Sequence, residues 1–254
     1  DLGFGKRAEE FAYNNMPGSA NNNSQMLIKQ AYLSLEAMEG LKLTMGSWAT
    51  HIGVELLNAY DNRNYSMSYA FSNGPFFNTG VKADYTMGEL NFMLGLSQPT
   101  DFRSALEAGS VQKTVIGQVG YTTDETSVYL NGTSGSTNPG TTNVTQGDLV
   151  FNQKINDKLS LTLNGTMAFV SNDLVSGTGN WYSTVGYLKY DHSDKIKLTY
   201  RLEYFEDKDM VSTSFSKVNN FPKKGLNVIS NTLSLNYVVG NLVLIPEIRI
   251  DQSS

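Results

Sequence analysis

The chain has 254 residues, a net charge of -5, no cysteine, and 40% hydrophobic residues at a mean hydropathy of -0.29. The acidic balance argues against nucleic acid as a partner, which wants a basic face. The missing thiols exclude disulfide scaffolds, cysteine zinc sites and iron–sulfur centres. No window of about 20 apolar residues exists, so helical membrane spans are excluded. The 14 Tyr and 12 Phe favour strands, and Pro numbers only 6.

In chain order, an Asn-rich loop over Lys6–Ser24 precedes strands at Met26–Leu35 and Leu41–Trp48, joined by the turn 36–40. A long segment, 49–74, leads to strands Phe76–Tyr85 and Glu89–Ser97 around a very short turn at Met87-Gly88. After the loop 98–109 come Val111–Tyr121, a turn at 122–125 and Thr126–Gly132. A Ser/Thr/Gly/Asn loop at 133–142 precedes Val144–Lys154, a turn at 155–157 and Lys158–Val170. Trp181–Tyr190 follows the loop 171–179, and the turn 191–194 leads into Lys195–Phe205. A charged loop over 206–224 precedes the last pair, Leu226–Val239 and Leu242–Asp251, hinged at Gly240-Asn241. Asp1 falls in what reads as the end of a strand, and Ser254 follows another, so strands are expected to be missing at both ends.

Strand side chains point alternately to opposite faces. In Lys158–Val170, Leu159, Leu161, Leu163, Met167 and Phe169 share one face, and Ser160, Thr162, Asn164, Thr166 and Ala168 the other. In Lys195–Phe205 the row Ile196, Leu198, Tyr200, Leu202 and Tyr204 opposes Lys195, Lys197, Thr199, Arg201 and Glu203. Leu242, Leu244, Pro246, Ile248 and Ile250 likewise oppose Glu247, Arg249 and Asp251, with Pro246 marking a bulge or weak pairing. Burying such charges unpaired costs several kcal/mol each, and a solvated lumen would remove that cost. About ten residues per strand, tilted by roughly 40°, cross a layer of about 25 Å. The pattern, roughly 12 to 13 strands with short turns alternating with long loops, predicts an all-β, antiparallel transmembrane β-barrel of outer-membrane type. The short turns would be periplasmic and the long loops extracellular. All 254 residues then form one barrel domain, a partial one, with 49–75 as a long loop that folds into the pore.

The segment Thr50–Tyr85 is the least generic part. Leu43-Thr44-Met45-Gly46, His51-Ile52-Gly53 with Glu55, Asn64-Tyr65-Ser66, the run Ser68–Phe76 and Thr79–Ala83 resemble the β-barrel porin type 2 (OmpL-like) family of Bacteroidota outer membranes, as does Gln30–Ser34. The close resemblance covers about a third of the chain. It implies an outer-membrane, porin-like barrel in contact with lipid and lipopolysaccharide, with no catalytic residues and no cofactor. The expected function is passive diffusion of small hydrophilic solutes. The alternative is a structural subunit of an outer-membrane assembly, plugged by its own loop and docked to other outer-membrane proteins.

Within the long segment, Asn64 is expected to cap a short helix over Tyr65–Phe71, ended by Gly74-Pro75. Folded into the mouth, the loop would narrow the pore and set Glu55, Asp61 and Arg63 against lumen residues Lys82, Asp84, Arg201, Glu203, Glu247 and Arg249. Such a mixed lumen predicts weak ion selectivity. His51 and His192 lack any sequence neighbour that would make a nucleophile–base pair, and no metalloprotease, P-loop or dinucleotide motif is present. The acidic run 206–209 lacks EF-hand spacing and reads as a solvated loop, so no metal site is expected. Lys217, Lys223 and Lys224 stand where lipid phosphates would be met.

Overall fold

The computed structural model describes residues 30–101, 113–136, 142–173, 177–212 and 226–253. The loops expected at 6–24, most of 98–109 and most of 206–224, with Lys217, Lys223 and Lys224, lie outside them. Thirteen strands form one antiparallel sheet: β1 (Ala31–Met38), β2 (Leu41–Ala49), β3 (Phe77–Met87), β4 (Leu90–Ser97), β5 (Thr114–Thr122), β6 (Thr126–Ser136), β7 (Asn143–Lys154), β8 (Leu159–Asp173), β9 (Gly177–Asp191), β10 (Ile196–Asp207), β11 (Leu226–Val239), β12 (Leu242–Leu244) and β13 (Glu247–Ser253). From β1 to β12 each strand pairs with the next, and β12 and β13 both pair with β11, at its two ends. Among the described residues the sheet is not closed: β1 pairs only with β2, and β13 only with β11.

The dyad pattern predicts the strands closely, and the differences are local. The first strand stands at 31–38, and its turn shrinks to Glu39-Gly40, because Gly40 takes a positive φ of 76° that suits a two-residue hairpin. The small polar residues Thr133–Ser136, expected in a loop, extend β6 because β7 offers them a ladder from Gln146 to Asn143. Strand pairing, not composition, sets that end. Pro246 interrupts the last strand as expected: residues 245–246 leave the ladder, although the Pro246 carbonyl still accepts from Leu235 N at 3.0 Å. The turns 39–40, 88–89, 123–125, 155–158, 192–195 and 240–241 share one end of the sheet.

The two faces differ sharply. Leu94, Leu130, Met167, Leu202 and Ile248 are exposed on the outer face. Such continuous apolar exposure is foreign to a water-soluble surface and is the band a barrel presents to lipid. At the short-turn end this band carries tyrosines and Phe: Tyr85 opposite Phe92, Tyr121 opposite Leu90, and Tyr190 opposite Leu159. The inner face is not uniformly polar, contrary to the simple alternation. Near the long-loop end Ala168, Val170, Trp181 and Phe205 form an apolar cluster with Val211, and Trp48, Met93 and Ile116 form another.

Candidate functional site

Residues 50–76, between β2 and β3, form an inner loop fastened to inward-facing side chains. A single 3-10 turn spans Ala59–Asp61, and a five-residue helix, α1, spans Tyr69–Asn73. The cap expected at Asn64 falls instead at Ser68, whose hydroxyl accepts from Phe71 N at 3.0 Å. Asn64 is buried and donates to Ser234 Oγ at 2.7 Å. Asn and Ser cap equally well, so local sequence does not choose between them; the wall contact does. Gly74 closes the helix, its N–H donating to the Phe71 carbonyl.

Carboxylates do most of the fastening by accepting backbone N–H groups that a loop would otherwise leave unpaired. Glu203 accepts from Tyr69 N at 2.9 Å and Ala70 N at 2.8 Å, and from Ser183 Oγ. Glu247 accepts from Tyr65 N at 2.8 Å and Ser66 N at 3.1 Å. Asp148 accepts from Gly53 N at 3.1 Å, and Asp101 holds Phe76 N and Phe77 N at the loop's exit. Within the loop, Glu55 accepts from Ser68 N and Oγ, and its other oxygen meets Tyr187 OH at 3.0 Å and Arg201 Nη1 at 2.7 Å. Arg201 also donates to the Ser66 carbonyl at 2.6 Å and to Thr232 Oγ1. Arg249 donates to the Met67 carbonyl at 2.7 Å and lies 4.9 Å from the centre of the Tyr69 ring. Near the short-turn end, Arg63 grips Asp191 through both nitrogens of its fork, and its carbonyl accepts from Asn236 Nδ2. Tyr69 also packs on Phe205 with ring centres 5.4 Å apart.

The nine charged residues picked from the sequence therefore divide. Glu55, Arg63, Arg201, Glu203, Glu247 and Arg249 join the inner loop to the wall. Arg201 and Glu203 have no exposed surface at all. A solvated lumen is thus not what offsets their burial: Arg201 pairs with Glu55 and donates to loop and wall oxygens through both terminal nitrogens, its Nε alone staying unpartnered, and Glu203 accepts three hydrogen bonds. Asp61 is exposed and bonded to Asn58 within the loop, and Lys82 pairs with Asp84 at 2.9 Å on β3. Asp148, Ser68, Tyr187, Ser234 and Lys189 were not singled out from sequence, though all but Ser68 lie on the inward parity of their strands. The acidic run is also engaged rather than free: Asp207 accepts from Val211 N and Ser212 N, and Asp209 from Asn180 N.

The two histidines differ. His192 stacks loosely on Tyr190 in a turn. His51 donates from Nε2 to the Gly132 carbonyl at 3.0 Å, while its Nδ1 is buried without a partner. Burial, with Lys82 nearby, holds this imidazole below its ordinary pKa and hence neutral. Burial acts oppositely on the Tyr69 phenol, raising its pKa, with Asp251 adding to the effect.

Beside the inner loop lies an open cavity of about 400 Å³, lined by His51, Gly53 and Val54 of the loop and by Gln118, Tyr129, Asn131, Val150, Asn152 and Lys189 of the wall.

A protein-family profile described as "Putative beta-barrel porin-2, OmpL-like" matches residues 1–254. No protein of curated function matches the chain in sequence. Among solved structures the chain is similar to the outer-membrane expressed OmpT of Vibrio cholerae, with a TM-score of 0.62 at 12% identity, over 90% of this chain and 72% of that one. Weaker likenesses are to Pseudomonas aeruginosa OccK5 (OpdH), TM-score 0.43 at 12% identity over 84% of this chain and 67% of that one, and to a mutant of Rh. blastica porin, TM-score 0.44 at 12% identity over 92% and 80%. The first carries the fold: an outer-membrane barrel. Because the family match runs through the whole chain, the chain belongs to the OmpL-like β-barrel porin-2 family and is a porin-type barrel of the bacterial outer membrane.

Proposed function

We propose that the chain is a channel for passive diffusion of small hydrophilic solutes, narrowed by its own inner loop. The observation that carries this reading is the asymmetry of the fastening. Residues 50–76 are bonded mainly to β7, β9, β10, β11 and β13, with one bond from His51 to β6, whereas the cavity beside them is walled by β5, β6, β7 and Lys189 of β9. Solutes would pass on that open side. Asp61, Lys82 and Asp84 would border the path, while Arg201, Glu203, Glu55, Glu247, Arg63 and Arg249 would set its width by holding the loop. Pore-lining charges tune selectivity, and a Lys82–Asp84 pair gives little net field.

Swelling of liposomes carrying the full-length protein tests this reading with a series of neutral sugars of rising size. Wild type should admit only the smaller ones, and a variant with residues 58–73 replaced by a short Gly-Ser linker should admit larger ones. No swelling from either folded barrel would contradict a channel and favour a plugged structural subunit. The density of bonds between loop and wall is what keeps that second reading in play.

A further inference from the structure

The open cavity beside the inner loop contains a cation without a counter-ion. Lys189, inward on β9 and half-buried, donates to Thr162 Oγ1 at 3.1 Å and lies 5.9 Å from the centre of the Tyr187 ring. No described carboxylate stands within salt-bridge distance of its ammonium. The nearest candidate in sequence, Asp191, is occupied by both Arg63 nitrogens. Asp148, on the neighbouring inner wall, is 2% exposed, is engaged by Gly53 N, Asn131 Nδ2 and Asn164 Nδ2, and is not among the residues lining the cavity.

Three amides line the same cavity as the ammonium. Gln118 uses one donor on Asn131 Oδ1, Asn131 one on Asp148, and Asn152 one on Ser127 Oγ. Each side-chain amide carries two donors, so each keeps one for a guest. Val54 and Val150 add an apolar patch. The cavity's 400 Å³ equals the space of roughly a dozen waters and falls within the range of small-molecule sites.

We propose that this cavity binds a small organic monocarboxylate, with Lys189 as its counter-ion, the amides as secondary donors and the valines against its carbon body. The inference rests on the reading of the barrel as a solute channel and names a class of solute for it. One ammonium without a guanidinium fork matches a single negative charge. A phosphate dianion would leave one charge uncompensated in a half-buried place.

The test is calorimetric titration of the full-length protein in detergent with lactate, lactamide and inorganic phosphate, for wild type, Lys189→Met and Lys189→Arg. Heat-modifiable migration confirms that each variant is folded. Lactate should bind wild type, lactamide should bind at least about tenfold more weakly, and Lys189→Met should lose roughly tenfold or more in lactate affinity. Lys189→Arg should stay within a few-fold of wild type. The proposal is overturned if lactate does not bind, if Lys189→Met binds it as wild type does, or if phosphate binds as tightly as lactate. Failure here leaves the channel reading standing wherever sugars still swell the liposomes. Binding by a barrel that passes no sugar would instead sink the channel reading and keep the site.

Discussion

Arg201 and Glu203 sit two residues apart on β10 and face the same way, and between them they reach both legs of the inner loop. Removing one partner of a buried ion pair strands the other and costs roughly 3–5 kcal/mol. Arg201→Met should therefore release the loop while leaving the barrel folded. Trypsin cleavage after Arg63, whose side chain is engaged by Asp191, should be slow in wild type and faster in the variant. Adding Glu55→Leu should restore part of the protection, because no orphaned charge then remains. A second residue, His51, is expected to make the stability of the fold pH-dependent. Its imidazole is neutral in the fold, with a pKa held below the ordinary 6.5 by burial. Below that value the unfolded chain takes up a proton that the folded one refuses. Stability is full above the ordinary value and falls as the solution is acidified through it, by up to about 1.4 kcal/mol per pH unit. Urea midpoints at pH 7.5 and 5.5 should fall further apart for wild type than for His51→Gln. Parity in the sequence was enough to put Arg201 and Glu203 on the inner face. It could not tell that a loop rather than water meets them, since both environments tolerate a polar row.

At the scale of elements, the strands were legible; of the loop's helix, its presence and its stop at Gly74 were legible and its start was not. Alternation repeats every two residues over eight to fifteen positions in β1 to β11, so an error of register would expose a whole apolar row to the lumen. The helix has five residues and two eligible caps, Asn64 and Ser68, and only the contact of Asn64 with Ser234 decides between them. The inner apolar cluster around Trp181 and Phe205 was also hidden, because it breaks the polar parity to receive Tyr69. Sheet curvature has its own device. Gly80 on β3 pairs with Gly46 on β2 and Ser97 on β4, and a Cβ on Gly80 would stand 2.2 Å from the Leu96 carbonyl oxygen. Glycine there lets the backbones approach and the wall bend. Gly80→Ala should thus cost about 1–3 kcal/mol, seen as a lower yield of heat-modifiable barrel. Gly147→Ala, with nothing within 4 Å of its Cβ, should fold normally.

The whole molecule is an outer-membrane porin-family barrel, and on the proposed reading its pore is shared between the fastened loop and the open cavity beside it. Charge substitutions should act differently on the two sides. Lys82→Glu, on β3 and outside the fastened set, is expected to shift the reversal potential in a salt gradient toward cation preference without changing loop protection. Arg201→Glu is expected to act chiefly by freeing the loop. The most direct test of the central claim, that the inner loop narrows a conducting pore, is single-channel conductance of the full-length protein in a planar bilayer, with and without residues 58–73. Ohmic steps that grow on deletion are predicted. Steps of unchanged size, or silence from both folded barrels, would contradict the account.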